Sequence, residues 1–240
     1  MRKFNYGSVL LLMILSGIIA WVFENIFDGN LTVIGTIFAW IINYIICRGL
    51  LYNRESSFSE YFRGIKTMTG KVFLMNMLVA LISAAVLIFS ALTSLTGADL
   101  AAAGMRGIVF ISILYILVTV FLSLIFAYSN FVMADMRYRD LQFFKCLKLI
   151  IKLGFKLFSE TFIMGVKVFK VTIISLIVAL VMIIPAKSMP EILTISFIAL
   201  VVAAIAAVIM GPNYIARLSD IYLDKIEGIY DDMKEDTEVI

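Results

Sequence analysis

Histidine does not occur in this 240-residue sequence. Its absence excludes Ser-His-Asp and Cys-His nucleophilic arrangements, the His-Glu-x-x-His zinc motif, and most zinc and haem sites. Cysteine is scarce as well. Cys47 and Cys146 are the only two, and both fall at or near the cytoplasmic face in the topology argued below, where neither a disulfide nor a metal cluster is expected. No Walker-type or dinucleotide-type glycine loop occurs, which argues against nucleotide hydrolysis. Paired intramembrane acids are missing too. Glu24 stands nearly alone, with Asp28 one turn on; it reads as an interfacial residue, the other reading being a proton or cation site. No catalytic residue, metal or cofactor is expected, and the chain is not expected to be an enzyme.

Charge is also in short supply. Only 15% of residues are charged against 62% hydrophobic, with a mean hydropathy of +1.05. A soluble domain of this length carries more charge and alternates it along the chain. Here the charges sit in a few segments between long apolar runs. A helix needs about 20 mainly apolar residues to cross the hydrocarbon, and six stretches qualify, roughly 7–27, 31–52, 72–96, 107–134, 161–186 and 191–216. The first has the basic start and apolar run of a signal peptide. Trp21, Val22 and Phe23 follow Ala20 in place of a small-residue cleavage site, so it reads as a retained span. The expected fold is all-α: a polytopic helical bundle at 1–216 and an acidic cytoplasmic helical tail at 217–240.

Lysine and arginine set the orientation. Eighteen of the twenty fall at the amino end, in the second and fourth connections and in the tail, leaving Arg106 and Lys187 on the opposite side. By the positive-inside rule both termini are cytoplasmic, and the expected location is a bacterial plasma membrane. The outer connections are then short, at 28–30, 97–107 and 186–190.

Two cytoplasmic segments carry the basic residues in a pattern. Lys145, Lys148, Lys152 and Lys156 recur at three or four residues, which places them on one stripe of a helix with apolar residues around the rest. Glu60-Tyr61-Phe62-Arg63-Gly64-Ile65-Lys66 resembles Gln142-Phe143-Phe144-Lys145-Cys146-Leu147-Lys148 type for type. Arg63 and Lys66 therefore join the stripe as a second basic amphipathic helix. Internal duplication and convergence on the same interfacial chemistry both account for the likeness. Helices of this kind lie on anionic lipid; their aromatics turn to the apolar side, which argues against nucleic acid.

The stripe extends through Glu160 to Lys167 and Lys170. An unbroken helix from Lys145 to Lys170 would span about 37 Å, more than a hydrocarbon core. A turn inward is therefore expected near 154–159, with Lys167 and Lys170 snorkelling at the cytoplasmic boundary or facing an internal cavity. Asn43, Asn76, Asn130 and Asn213 fall in the inner halves of their spans. They read as interhelical links at about 0.6–2 kcal/mol each, or as the lining of a cavity open to the cytoplasm. Ala199, Ala203, Ala207 and Gly211 recur at four residues and form a helix-packing face; Pro212 follows and is expected to kink the helix.

Beyond it, Asp220, Asp224, Glu227 and Asp231 make an acidic stripe. From Asp220 onward eight acids face only Lys225 and Lys234. This tail either docks on a basic helix or stays solvated.

At Tyr128-Ser129-Asn130-Phe131-Val132-Met133-Ala134-Asp135, followed by the basic helix and Lys156-Leu157-Phe158, the chain resembles an uncharacterised family of bacterial six-span membrane proteins. That family is similar to the membrane domain fused to some glycerophosphodiester phosphodiesterases. Its members show a tyrosine-rich span ending in Ala-Asp, here Ala134-Asp135. They also show a basic helix, here without the usual Met-Lys-Gly wording, and a Pro-Tyr near the end of the last span, here Pro212-Asn213-Tyr214. The resemblance implies topology and no activity. A second likeness is to six-span permease subunits of ABC exporters, whose coupling helix 54–71 would supply, although 186–190 leaves no room for their outer re-entrant structure. The leading expectation is a non-catalytic membrane module with basic helices on anionic lipid and a protein partner or second copy. The alternative is a permease subunit exporting a hydrophobic or peptide-like solute with a separate ATPase.

A single cysteine at position 145, with Cys47 and Cys146 replaced by serine, should react with a membrane-impermeant maleimide only when the reagent reaches the cytoplasmic side. Labelling from outside intact cells would overturn the orientation.

Overall fold

The computed structural model describes residues 2–25, 32–96, 115–138, 140–183 and 191–238, and every regular element among them is helical. In hydrocarbon no water is at hand for backbone N–H and C=O groups, so a spanning segment must satisfy them internally. The helices are α1 (Tyr6–Asn25), α2 (Thr32–Tyr52), α3 (Phe58–Arg63) with a 3₁₀ turn at Gly64–Thr67, and α4 (Gly70–Thr96). Next come α5 (115–125), α6 (Ser129–Ala134), α7 (Phe143–Lys156), α8 (Phe158–Val168), α9 (Lys170–Ile183) and α10 (Glu191–Glu238).

Four stretches are long and apolar enough to cross a membrane unaided: Tyr6–Asn25, Thr32–Tyr52, Tyr115–Ala134 and Thr194–Met233. Two more reach that length only as bent pairs, Phe58–Thr67 with Gly70–Val86 and Phe158–Val168 with Lys170–Met182, so the chain has four to six candidate spans. The expected outer connections at 28–30, 97–107 and 186–190, with Arg106 and Lys187, lie outside the described residues, as does Arg139.

The chain divides into two compact units. The first comprises Met1–Met68 and Ser159–Glu227. Its α1 and α2 form an antiparallel hairpin: a Cβ on Gly35 would lie 3.2 Å from the Phe23 Cβ, and the Phe23 and Phe38 rings stack at 5.9 Å. The short α3 lies at the end of α2, with Tyr61 fully buried where Gly49 has no side chain; a Cβ there would sit 2.2 Å from the Tyr61 ring. Small residues allow such close approach in membrane helices. Further on, α8 and α9 meet at Phe169 with a bend of 71°. The turn expected at 154–159 is thus shared: α7 stops at Lys156, and the chain bends again at Phe169. Then α9 pairs with α10, Ser196 Oγ donating to the Ala179 carbonyl at 3.0 Å. Finally, α10 runs as one helix through Pro212 and across position 217, where composition marks a boundary.

The second unit comprises Thr69–Phe158 and Gly228–Ile240. Asn76 of α4 donates to Asn130 of α6 at 3.2 Å. Between α5 and α6 the chain tightens into a turn at 126–128. There α7 comes so close that a Cβ on Gly154 would lie 2.2 Å from the Ile125 carbonyl oxygen. Phe121 of α5 flanks the contact, its ring 6.3 Å from Phe155 and 5.5 Å from Phe158.

Backbone cannot step aside as a flexible side chain can. Gly154→Ala should therefore lower stability by about 1–3 kcal/mol, the range for overpacking. Gly17→Ala, where nothing lies within 4 Å of the added carbon, should be neutral or stabilising by up to about 1 kcal/mol. Thermal unfolding of both variants in one detergent checks the contrast.

Candidate functional site

The sequence of α7, FFKCLKLIIKLGFK, carries four lysines and no acid. At about 100° per residue it divides into three sectors. One packs inward: Cys146, Leu149, Ile150, Leu153 and Gly154 are buried. A second is apolar and uncovered, with Phe144 79% and Phe155 59% exposed and Leu147 and Ile151 half-exposed. The third is basic, with Lys145, Lys148 and Lys156 exposed and Lys152 half-exposed. A helix in water would cover its second apolar sector. Where basic and apolar sectors are both left open, the surface suits the boundary between headgroups and acyl chains.

The loop before α7 is tightly held. Asp135, 1% exposed, accepts from Arg137 Nε at 3.1 Å and Nη2 at 2.8 Å, and from the Arg137 backbone N–H at 3.0 Å. Lys71 Nζ donates to the Leu141 carbonyl at 2.7 Å. Cys146 Sγ lies 3.7 Å from the carbonyls of Tyr138 and Leu141. Burial pushes its thiol up from the ordinary range, with the Lys71 ammonium pulling the other way. Cys146 is therefore a packing residue and a poor nucleophile.

After its first residue the 60–66 segment matches the exposure of 142–148 at four of six positions and differs by one grade at the other two. Tyr61 is buried and Phe143 half-buried; Phe62 and Phe144 are exposed, as are Arg63 and Lys145; Gly64 and Cys146 are buried; Ile65 is exposed and Leu147 half-exposed; Lys66 and Lys148 are exposed. Arg63 also pairs with Glu60 at 2.6 Å on the surface.

Of the inner-half asparagines, Asn76 and Asn130 are joined, while Asn43 is exposed and Asn213 half-buried in the first unit. Lys167 and Lys170 are exposed on either side of the Phe169 bend. Along the small-residue face, Ala203 and Gly211 are buried and Ala199 and Ala207 half-buried. A Cβ on Gly211 would meet Met13 Cε at 2.4 Å, so this face packs against α1. The acids of α10 are divided. Asp220 and Asp224 face the first unit's arginines, Glu227 and Asp231 are exposed, and Asp232, beside the acidic stripe, pairs with Lys156. The second unit also has a cleft of about 130 Å³ between α4 and α5, lined by Val79, Ser83, Thr119, Ser123 and Phe126 among others. That is well below the ~300 Å³ from which small-molecule sites start. Among the described residues no three His, Cys, Asp or Glu side chains are placed to hold a metal ion.

A polar knot in the first unit has no local sequence signal. Arg54 Nη1 stands 2.7 Å from Asp220 Oδ1, the two side chains being 13% and 16% exposed. The approach is off the N–H axis, so the attraction is chiefly Coulombic. Arg54 Nη2 donates to the Ala216 carbonyl at 3.1 Å, and the Arg54 carbonyl accepts from the Asn5 N–H at 2.8 Å and Tyr61 Oη at 2.9 Å. Arg2 completes the knot through its backbone N–H on Asp220 and its guanidinium on Asp224 at 2.7 Å. Residues 166 positions apart leave no periodicity to read.

No family model, curated protein or solved structure matches this chain.

Arg54→Gln leaves Asp220 largely buried opposite a neutral group and should cost about 3 kcal/mol. Lys156→Gln breaks an exposed pair and should cost no more than about 1 kcal/mol. Thermal unfolding in detergent, run side by side, checks the ranking.

Proposed function

We propose that the protein is a non-catalytic module of a bacterial plasma membrane that presents two basic interfacial helices to anionic lipid on the cytoplasmic side. In this reading there are six spans, each bent pair contributing one, and both termini are cytoplasmic. The helices of 58–67 and 143–156 lie along the leaflet, and a protein partner or a second copy of the chain completes the assembly. One observation carries the proposal: α7 buries a third of its circumference and leaves Phe144 and Phe155 uncovered next to Lys145 and Lys148. The same order of exposure at Phe62, Arg63 and Lys66 supports it. So does the placement of eighteen of twenty basic residues in segments assigned to one leaflet.

A second reading is a permease subunit exporting a hydrophobic or peptide-like solute, driven by a separate ATPase. What favours it is the short helix α3 with its 3₁₀ turn, fastened at its back by Tyr61 and showing Phe62 and Ile65 outward, as a surface for an ATPase would. A nucleotide-hydrolysing subunit that copurifies from native membranes would decide for it.

Each lysine near an anionic surface contributes about 1 kcal/mol. Lys145→Gln with Lys148→Gln should therefore weaken phosphatidylglycerol retention about 30-fold in apparent affinity. Retained lipid per protein, compared by native mass spectrometry across a phosphatidylglycerol titration, measures this; retention equal to wild type would remove the lipid reading.

A further inference from the structure

In the second unit the end of α10 meets Lys156, the last lysine of α7, while Lys145 and Lys148 stay exposed. Ile229 and Met233 are buried, the Tyr230 ring meets the Tyr138 ring edge-on at 4.8 Å, and Asp232 pairs with Lys156. The pair is shallow, its side chains being 44% and 52% exposed, and so is weak and screened by salt. Beyond Asp232 the sequence continues with Glu235, Asp236 and Glu238 against Lys234. The C-terminal segment of this unit begins at Gly228. Glycine weakens a helix interior, and here nothing lies within 4 Å of where its Cβ would be, so no packing demands it. Such a glycine lowers the cost of bending the helix at the root of an acidic segment.

Resting on the reading of α7 as a basic interfacial helix, we propose that the acidic end of α10 and anionic headgroups are alternative ligands of Lys156, exchanged by bending at Gly228. In a neutral bilayer Asp232 holds Lys156, and Ile229, Tyr230 and Met233 keep the segment seated. Anionic headgroups offer the same ammonium group many phosphates. Within about a Debye length they also repel the carboxylates of the segment. Lipid charge thereby releases the segment from Lys156, and its absence keeps the two paired.

Zero-length carbodiimide coupling tests this on the full chain, because it joins an amine to a carboxylate only while the two are paired. In nanodiscs of phosphatidylcholine the Lys156–Asp232 crosslink should form. At equal salt its yield should drop severalfold when a third of the lipid is phosphatidylglycerol. Gly228→Ala should retain more of the crosslink in the anionic discs, by about fivefold, the factor corresponding to the difference in helix propensity. A yield that ignores lipid charge, while Lys145→Gln with Lys148→Gln still loses phosphatidylglycerol, would overturn the competition and leave the lipid reading standing. If that double variant keeps its phosphatidylglycerol, the lipid reading fails and the competition with it.

Discussion

The seating of α7 depends on a missing side chain. At Gly154 the helix lies against the Ile125 carbonyl so closely that even a methyl group would collide with backbone. That contact sets the rotation of α7 about its own axis, and the rotation sets everything the helix shows outward. With Gly154 turned in, Cys146, Leu149, Ile150 and Leu153 follow it into the protein. Phe144 and Phe155 are left on one flank and the lysines on the other. A helix turned by a quarter would bury phenylalanines and expose leucines, and its lysines would face elsewhere. What the helix shows outward is thus decided by packing at one position.

Opposite charges are partitioned by depth of burial. In the first unit Arg54 and Asp220 meet where water is largely excluded, and Arg54 also serves the Ala216 carbonyl. A charge so placed needs its partner, because leaving it alone costs more than the pair contributes. Arg2 and Asp224 sit at the surface and are worth little by comparison. The second unit repeats the contrast: Asp135 is held inside by Arg137, while Asp232 and Lys156 lie in solvent. Deep pairs lock the connections into place, and shallow pairs remain exchangeable.

Glycine is used in two opposed ways. At Gly49, Gly154 and Gly211 a neighbouring group occupies the space that a Cβ would need, and the helices are drawn together. At Gly228 nothing is near, and only the conformational freedom remains. Read from composition alone the four are indistinguishable.

Helical architecture and its apolar spans were legible from the sequence, because a bilayer permits few alternatives and writes its thickness into the length of each run. The lysine stripe was legible too, since helical periodicity is local. The small-residue face at Ala203 and Gly211 could be recognised by spacing, but its partner Met13 could not. Nothing in the sequence announced the break at Phe169, or that α10 would run unbroken from Glu191 to Glu238. Which apolar flank of α7 faces inward was equally hidden, for Phe144 and Leu149 are both hydrophobic and only a neighbouring helix tells them apart. The partition of the acids of α10 between Arg54, Arg2 and Lys156 likewise came from tertiary structure. Periodicity records how a residue stands on its own helix; what it meets across 76 or 166 residues depends on how helices pack, and that is not a local property.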